Sequence, residues 1–301
     1  MLIPPKRLVF TGGGLRSLCH FGALEVLEQK GLLVHLKEVL GVSAGALVGF
    51  SYMLGYSMPE MIKTVSEFDF SVLQDAHPEL VLDFFSQYGI DSGEQMEKFL
   101  ISLLRIKGYP IDMTFGQWAT QYPTRVRLRC FASNLNTCQT KEFSAEKTPD
   151  ISFVFALRAS MCLPLYFTPL KDPDTGHFLV DGGVIQNFPM NVLSDSEKET
   201  ALGVSFLYSQ DSTESIPDFL GYIRQIYNCG FNPRTYQVQK ENRLRCILIP
   251  TGVLSAYNFD LTKEDRLVLI EQGRLATRKF CDRYLQFLAD HTKPIRRYSV
   301  G

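Results

Sequence analysis

The order of apolar and polar residues in the N-terminal part of the chain predicts two short buried strands, each followed by a helix. The strands cover Arg7 to Thr11 and Val39 to Val42, where β-branched and other apolar residues cluster. Apolar residues at helical spacing then predict helices from Leu15 to Gln29 and from Ser43 to Leu54. A strand–helix–strand–helix order is typical of a parallel sheet with right-handed crossovers. The pattern therefore predicts an α/β protein.

Later segments continue this alternation at less regular spacing. We expect further helices at Pro59 to Phe68, Leu80 to Phe85, Gly93 to Ile106, Thr114 to Gln121, Ile151 to Ser160, Asp218 to Cys229 and Leu261 to Ala289. We expect further strands at Arg125 to Asn134, Gln139 to Phe143, Tyr166 to Leu170, Phe178 to Asp181, Thr200 to Tyr208 and Leu244 to Ile249. The apolar region from Phe68 to Phe85 either packs against the sheet or caps a cleft for an acyl chain.

Composition narrows the class of protein. The 301 residues are 45% apolar, which is enough to bury a large core, and carry a net charge of −1. A near-neutral charge argues against a nucleic-acid partner, because phosphate contacts require basic residues. Seven cysteines without close pairs fit a reduced intracellular protein, and no spacing suits a zinc site. The N-terminus lacks an apolar signal core, and Ala44 to Met58 is too short to span a bilayer. We therefore expect a cytoplasmic protein that meets membranes only from the water side.

A Gly-x-Ser-x-Gly pattern, Gly41-Val42-Ser43-Ala44-Gly45, lies between the second strand and the second helix. This context is typical of a nucleophile elbow, a sharp turn that lifts a serine hydroxyl clear of the sheet. The two glycines leave room for the turn because they carry no Cβ, and the helix directs its amides at any anion formed beside Ser43. A buried glycine-rich turn without chemistry is the alternative.

The run from Gly12 to Ser17 follows the first strand and opens a helix, and it has two interpretations. A dinucleotide-binding loop needs a glycine at the sixth position and an acidic residue at the end of the second strand, and both are missing. An oxyanion hole needs backbone N–H groups that face one point, and the amides of Gly13, Gly14 and Ala44 meet that need. Arg16 either adds positive charge near a substrate phosphate or forms a surface ion pair.

A serine nucleophile needs a base, and no histidine stands in a convincing motif. His291 alone lies late enough for the Ser–acid–His order of an α/β-hydrolase, but in a polar tail, and His20 fits a packed helix residue better. Asp181-Gly182-Gly183 ends a strand with a tight reversal that fixes a carboxylate, and burial raises a carboxyl pKa toward the range of a general base. Asn187 to Pro189 would buttress this loop. A solvated aspartate in an Asx-type turn is the alternative.

The combined motifs resemble the patatin-like phospholipase family: Gly-Gly-Gly-x-Arg opening a helix, Gly-x-Ser-x-Gly at the next strand end, and Asp-Gly-Gly much later. The segments Ala159 to Pro164 and Asn134 to Thr137 extend the resemblance, which covers about Lys6 to Tyr208. Ile270 to Gly273 is similar more weakly. We expect one domain over residues 1–301, with a motif-bearing core of about 6–208 and a C-terminal extension of about 209–301.

The resemblance implies a three-layer α/β/α fold with a mainly parallel central sheet, and lipid acyl hydrolysis by a serine–aspartate dyad without metal or cofactor. It implies that Ser43 is the nucleophile, that Asp181 is its base and that Gly12 to Gly14 supply the oxyanion hole. Ser17 departs from the family, which usually has glycine at that position, and this departure puts catalytic efficiency in question.

We therefore expect a serine carboxylic-ester hydrolase of the phospholipase A or lysophospholipase type. Its partners would be phospholipid or another acyl ester, presented at a membrane or micelle surface. A catalytically weak or silent relative that binds lipid or protein is the first alternative, and a soluble esterase or thioesterase is the second. A dinucleotide-dependent oxidoreductase is more distant. The sequence leaves the head group, the acyl position and the oligomeric state open.

Overall fold

The structure is a computed structural model that describes residues 4–74, 84–207, 216, 219–251 and 261–291. Its strands are β1 (Arg7–Phe10), β2 (Glu38–Val42), β3 (Arg127–Asn134), β4 (Gln139–Phe143), β5 (Leu170–Lys171), β6 (Phe178–Asp181), β7 (Ala201–Phe206) and β8 (Cys246–Ile249). Its α-helices are α1 (Cys19–Gln29), α2 (Ala44–Met53), α3 (Met58–Glu67), α4 (Phe84–Gln87), α5 (Glu94–Ile106), α6 (Phe115–Gln121), α7 (Phe153–Ser160), α8 (Gly183–Gln186), α9 (Asp195–Lys198), α10 (Phe219–Glu241) and α11 (Lys263–His291). Short 3₁₀ turns cover Gly14–Leu18, Phe70–Leu73, Pro189–Val192 and Arg243–Arg245.

The strands of the described residues form one mixed sheet in the order β5-β6-β3-β2-β1-β7-β8, and β4 pairs with β3. Five neighbouring strands run parallel to one another, in the order β3-β2-β1-β7-β8. In contrast, β4 and β6 run antiparallel to β3. Alternate residues of β1 enter two separate cores: Leu8 and Phe10 pack on one face of the sheet, and Val9 packs on the other. Helices cover both faces, so the predicted three-layer α/β/α fold is confirmed.

The C-terminal segments join this sheet and its larger core. β8 pairs parallel to β7, and α11 crosses α1 at a glycine on each helix. A Cβ on Gly22 would lie 1.9 Å from the carbonyl oxygen of Ile270, and a Cβ on Gly273 would lie 1.9 Å from that of Cys19. Only glycine permits such backbone contact between two helices. This contact places the weakly similar segment at 270–273 against the helix that follows the glycine loop.

Two predicted elements differ in length from the observed ones. The strand expected from Tyr166 to Leu170 is reduced to β5, because a turn before it places Leu165 at φ 64°. The helix expected to end at Cys229 continues through Pro233 to Glu241. Its later part is held by tertiary contacts, since Gln239 is buried and donates to the Ser205 hydroxyl and the Phe206 carbonyl. Most of the helix predicted from Leu80 to Phe85 lies outside the described residues.

Candidate active site

The register of the sheet brings Ser43 and Asp181 together. β2 runs parallel to β3 and ends with Val42 paired to Phe131, whereas β6 runs antiparallel to β3 and ends with Asp181 paired to the next residue, Ala132. Both strands therefore finish at neighbouring positions of β3. Ser43 follows directly after Val42, so the serine and the aspartate meet where the two strands end.

Ser43 occupies a backbone conformation that side-chain-bearing residues rarely adopt, with φ 54° and ψ −132°. Such strain is characteristic of functional turns and persists only where the surrounding structure enforces it. Gly45 allows the turn to pack, because a Cβ there would lie 2.5 Å from the Thr11 carbonyl oxygen. α2 begins at Ala44, so the N-terminal amides of a helix point toward the serine hydroxyl. The predicted strand–turn–helix geometry of the elbow is therefore present.

Asp181 is buried, with 8% of its surface exposed, and its carboxylate is hydrogen-bonded from two sides. One carboxylate oxygen accepts a hydrogen bond at 2.7 Å from the N–H of Gly183, the first residue of α8. The carboxylate also accepts a hydrogen bond from the Ser43 hydroxyl. Burial raises the pKa of Asp181 to about 6, and the two hydrogen bonds oppose this rise. The carboxylate is thus ionised at neutral pH but basic enough to accept a proton.

The glycine loop lies beside the serine and is tied down by Asn187. The Gly12 N–H donates to the Asn187 carbonyl at 3.1 Å, and the Asn187 side chain donates back to the Gly12 carbonyl at 3.0 Å. The Thr11 hydroxyl donates to the same Asn187 carbonyl at 3.0 Å. The Gly12 amide is thus already engaged, which differs from the expected role of Gly12 as an oxyanion donor. Asn187 therefore holds the glycine loop. The sequence analysis had assigned Asn187 only to the support of the Asp181 loop.

His20 lies behind this loop as a structural residue. Its Nε2 atom contacts the Thr11 carbonyl oxygen at 3.1 Å, and its ring stacks on Phe206 at 5.2 Å between centroids. Because a carbonyl oxygen only accepts hydrogen bonds, Nε2 carries the proton. Burial lowers the pKa of His20 to about 4, and the Thr11 hydrogen bond opposes this fall. These contacts agree with the prediction that His20 is packed rather than catalytic, and the side chain of His291 lies outside the described part of the chain.

Gly13 rests on the same phenylalanine ring. A Cβ on Gly13 would lie 2.1 Å from the Phe206 Cε2 atom, well inside van der Waals contact. The guanidinium of Arg16 lies 5.0 Å from the centroid of this ring, a cation–π distance. The loop therefore keeps its shape because glycine sits against a buried aromatic edge.

Replacing Gly13 with alanine is expected to displace the loop and lower kcat for ester hydrolysis by about 10²-fold, the usual effect of losing an oxyanion donor. The measurement is steady-state kinetics on a soluble p-nitrophenyl ester. Gly230→Ala is the matched control: Gly230, like Gly13, does not have a left-handed φ, but an added Cβ there has no neighbour within 4 Å, so only the contact with Phe206 differs. Equal kcat in the Gly13→Ala variant and the wild type would contradict the role of this loop.

A cleft opens where these elements meet. It is lined by Gly12, Gly13, Gly14, Arg16, Ser43, Leu163, Asp181, Asn187, Asn228 and Asn232. The sequence analysis singled out the glycines, Arg16, Ser43 and Asp181 of this lining, and it named Asn187 only as a loop buttress. It missed Asn228 and Asn232, which lie one turn apart on α10 in a segment without a recognisable motif. Ser17 is buried in the 3₁₀ turn that precedes α1 and does not line the cleft.

The described residues lack both a metal site and a membrane-spanning helix. They contain no group of three or more histidine, cysteine, aspartate or glutamate side chains placed to hold a metal ion. They also contain no helix with the length and apolar character needed to cross a membrane.

A three-layer α/β fold with a serine on a strained strand–helix turn defines a broad class of α/β proteins that contain a nucleophile elbow. Within that class, the family model described as Patatin-like phospholipase matches residues 8–194. The chain belongs to the patatin-like phospholipase family.

Individual proteins and solved structures are also similar to this chain. Protein YqhO of Bacillus subtilis is 30% identical over 294 residues, which span 90% of this chain and 96% of YqhO. A "Probable lipid hydrolase 463L" of Invertebrate iridescent virus 6 is 28% identical over 187 residues, 62% of each protein. Among solved structures, VipD of Legionella pneumophila superposes with a TM-score of 0.63 at 18% identity, covering 93% of this chain and 67% of VipD. The VipD match supports the shared fold.

Proposed function

We propose that this protein is a lipid acyl hydrolase of the phospholipase A or lysophospholipase type that works through a Ser43–Asp181 dyad. Family membership supports lipid ester hydrolysis in general. The contact between the Ser43 hydroxyl and the buried, ionisable carboxylate of Asp181 is the observation that carries the finer proposal. A serine hydroxyl becomes a useful nucleophile only when a base accepts its proton.

In the first half-reaction, Asp181 accepts the hydroxyl proton as the Ser43 oxygen attacks the acyl carbonyl carbon. The N–H groups of Gly13, Gly14 and Ala44 stabilise the oxyanion of the tetrahedral intermediate. When the intermediate collapses, the ester C–O bond breaks and the leaving alcohol takes the proton from Asp181. The products of this half-reaction are the free alcohol and an acyl ester on Ser43.

In the second half-reaction, Asp181 accepts a proton from water, and the resulting hydroxide attacks the acyl-serine carbonyl. The same amides stabilise the second intermediate, and its collapse returns the proton to the Ser43 oxygen and releases the fatty acid. Each cycle consumes one water and restores both side chains. The proposed chemistry needs no metal or cofactor.

The proposed base predicts a specific pH dependence. We expect kcat/KM for a soluble ester to rise with pH through a midpoint near 6 and to level off above it, because only ionised Asp181 accepts the proton. Assays of a p-nitrophenyl ester from pH 4 to 9 measure this profile. His20, with a pKa of about 4, titrates below this limb. An activity maximum below pH 5, with loss on approaching neutrality, would contradict ionised Asp181 as the base.

The substrate would be an acyl ester presented at a membrane or micelle surface, where the protein would act as a peripheral enzyme from the cytoplasmic side. Arg16, at the cleft, supplies a positive charge for a lipid phosphate. The test is a panel of phospholipids, lysophospholipids and acylglycerols, with products identified by mass spectrometry. Release of fatty acid from phosphate-bearing lipids is the expected result.

The alternatives give different results in the same assays. A silent family member would not react with a fluorophosphonate probe, whereas a soluble esterase or thioesterase would prefer short esters to lipids. The strained elbow and the raised pKa of Asp181 favour an active enzyme over a silent one. We also propose a single domain over residues 1–301, in which the extension from about 209 shares the central sheet.

A further inference from the structure

Ser160 lies at the point where β2 and β6 meet β3. It is the last residue of α7 and is fully buried. Its hydroxyl oxygen accepts a hydrogen bond from the Ser43 N–H at 2.9 Å and donates one to the Phe131 carbonyl at 2.7 Å. A hydroxyl can accept and donate at once. Ser160 therefore connects the backbone of the elbow to the neighbouring strand through a single atom.

The Ser160 hydroxyl takes the place of a strand partner for the Ser43 N–H. The β2–β3 ladder ends at the pair Val42 and Phe131, and the chain leaves the sheet at Ser43, where φ becomes positive. A buried N–H must find a partner when the ladder stops. The Ser160 hydroxyl takes that position, and by fixing the amide of Ser43 it fixes the direction in which the Ser43 side chain projects.

The turn after α7 also holds the aspartate. The Ser160 carbonyl accepts from the Gly182 N–H at 3.3 Å, and the Cys162 carbonyl accepts from the Asp181 N–H at 2.7 Å. The backbones of both dyad members are thus bonded to the same short segment, residues 160–162. Any movement of this segment changes the separation of the two side chains.

We infer that Ser160 is a positioning residue for the hydrolysis: its hydroxyl orients the strained Ser43 backbone so that the Ser43 hydroxyl meets Asp181. This inference rests on the proposed function, because Ser160 acts only through Ser43. Among the bonds from residues 160–162 to the two dyad residues and Gly182, only the bond to Ser43 runs through a side chain. It can therefore be removed without changing the backbone bonds to Asp181.

The Ser160→Ala variant is expected to lose about 10- to 100-fold in kcat on a p-nitrophenyl ester, since small displacements of reacting groups cost rate in this range. KM should stay within about twofold, because Ser160 does not line the cleft. The rate of fluorophosphonate labelling should fall by the same factor as kcat. The pH midpoint should rise above its wild-type value, because a displaced Ser43 hydroxyl no longer opposes the burial that raises the pKa of Asp181.

Two controls separate positioning from general stability. Ser51→Ala removes another fully buried serine hydroxyl, which donates to the Leu47 carbonyl on the elbow helix, and it should keep full kcat. Ser160→Thr and Ser160→Val have the same shape but differ in the hydroxyl. Ser160→Thr should therefore be at least about tenfold more active than Ser160→Val. Active-site titration with the probe normalises each rate to reactive protein, so partial unfolding does not alter the comparison.

The outcomes separate a failure of the proposed function from a failure of the role of Ser160. A wild type that hydrolyses no ester overturns the proposed function, and the inference with it. An active wild type with an unchanged kcat in Ser160→Ala overturns the inference alone. Equal rates in Ser160→Thr and Ser160→Val also overturn it, because the hydroxyl would then have no effect.

Discussion

The Ser43→Ala variant is expected to lose fatty-acid release by about 10⁴-fold or more, as removal of a serine nucleophile usually does. The hydroxyl is the only group of Ser43 that can attack an acyl carbon, and alanine removes it without filling the cleft. The measurement is fatty-acid release from phospholipid vesicles, quantified by mass spectrometry at equal folded protein. The expected fall reaches the background rate of the assay.

The fold should survive this substitution. Alanine retains the strain of φ 54° but leaves the backbone bond to Ser160 intact. Ser43→Gly provides a second inactive variant, in which glycine adopts the same backbone without strain. Similar near-ultraviolet circular dichroism in both variants and the wild type would establish the native packing. Fatty-acid release near the wild-type rate in either folded variant would contradict Ser43 as the nucleophile.

The Asp181→Asn variant is expected to lose about 10²- to 10⁴-fold in kcat, the usual contribution of a general base. The amide is nearly the same size, and its oxygen still accepts the Gly183 N–H, so the loop geometry is retained. It cannot accept a proton at neutral pH. Steady-state kinetics with a p-nitrophenyl ester measure the loss, and the rising limb of the pH profile near 6 should disappear with it.

The same variant should be more stable than the wild type at pH 8. Burial raises the pKa of Asp181 from 3.8 to about 6, so ionisation costs the folded state about 3 kcal/mol, at 1.36 kcal/mol per pKa unit. The folded state binds the proton more tightly than the unfolded state. The contribution of Asp181 to wild-type stability therefore falls as pH rises from about 4 to 6, and it stays low above pH 6. The advantage of Asp181→Asn should be present at pH 8 and vanish below pH 4.

Asp172→Asn provides a control of opposite sign. Asp172 is also buried, but although burial disfavours its charge, the Lys141 bond at 2.8 Å and neighbouring donors lower its pKa. Removing that charge should destabilise the protein at pH 8 and leave kcat unchanged. Urea denaturation at pH 8 and below pH 4 measures the free energy of unfolding of both variants, and steady-state kinetics measure their kcat. Destabilisation by Asp181→Asn at pH 8, or wild-type kcat in that variant, would contradict the role given to the carboxylate.

Local pattern was enough to predict the elbow. A strand ending in Gly41-Val42-Ser43 and a helix opening with Ala44-Gly45 leave few ways to turn the chain, and the observed φ of Ser43 follows from that constraint. The glycine loop was predictable for the same reason. Asp181 was predicted as the base from its own strand end and from the resemblance, since no histidine had a suitable context.

The contact between the two side chains could not be derived from local pattern. It depends on β6 pairing antiparallel to β3 with Asp181 opposite Ala132, a register that no residue near Asp181 encodes. The role proposed for Ser160 was equally hidden: the sequence placed Ser160 in a segment that extends the resemblance, but its bonds to Ser43 and Phe131 are long-range. The extent of α10 was misjudged because Pro233 signals a helix end, while the buried Gln239 contacts that extend the helix are long-range.

Peptide mapping of the protein after reaction with a fluorophosphonate tests the central claim most directly. We predict one phosphonyl group, on the peptide that contains Ser43, in the wild type, with labelling slowed by at least about 10²-fold in Asp181→Asn. A wild type that releases fatty acid but carries the phosphonyl group on another residue would contradict the account, as would labelling of Ser43 at the same rate with and without the aspartate.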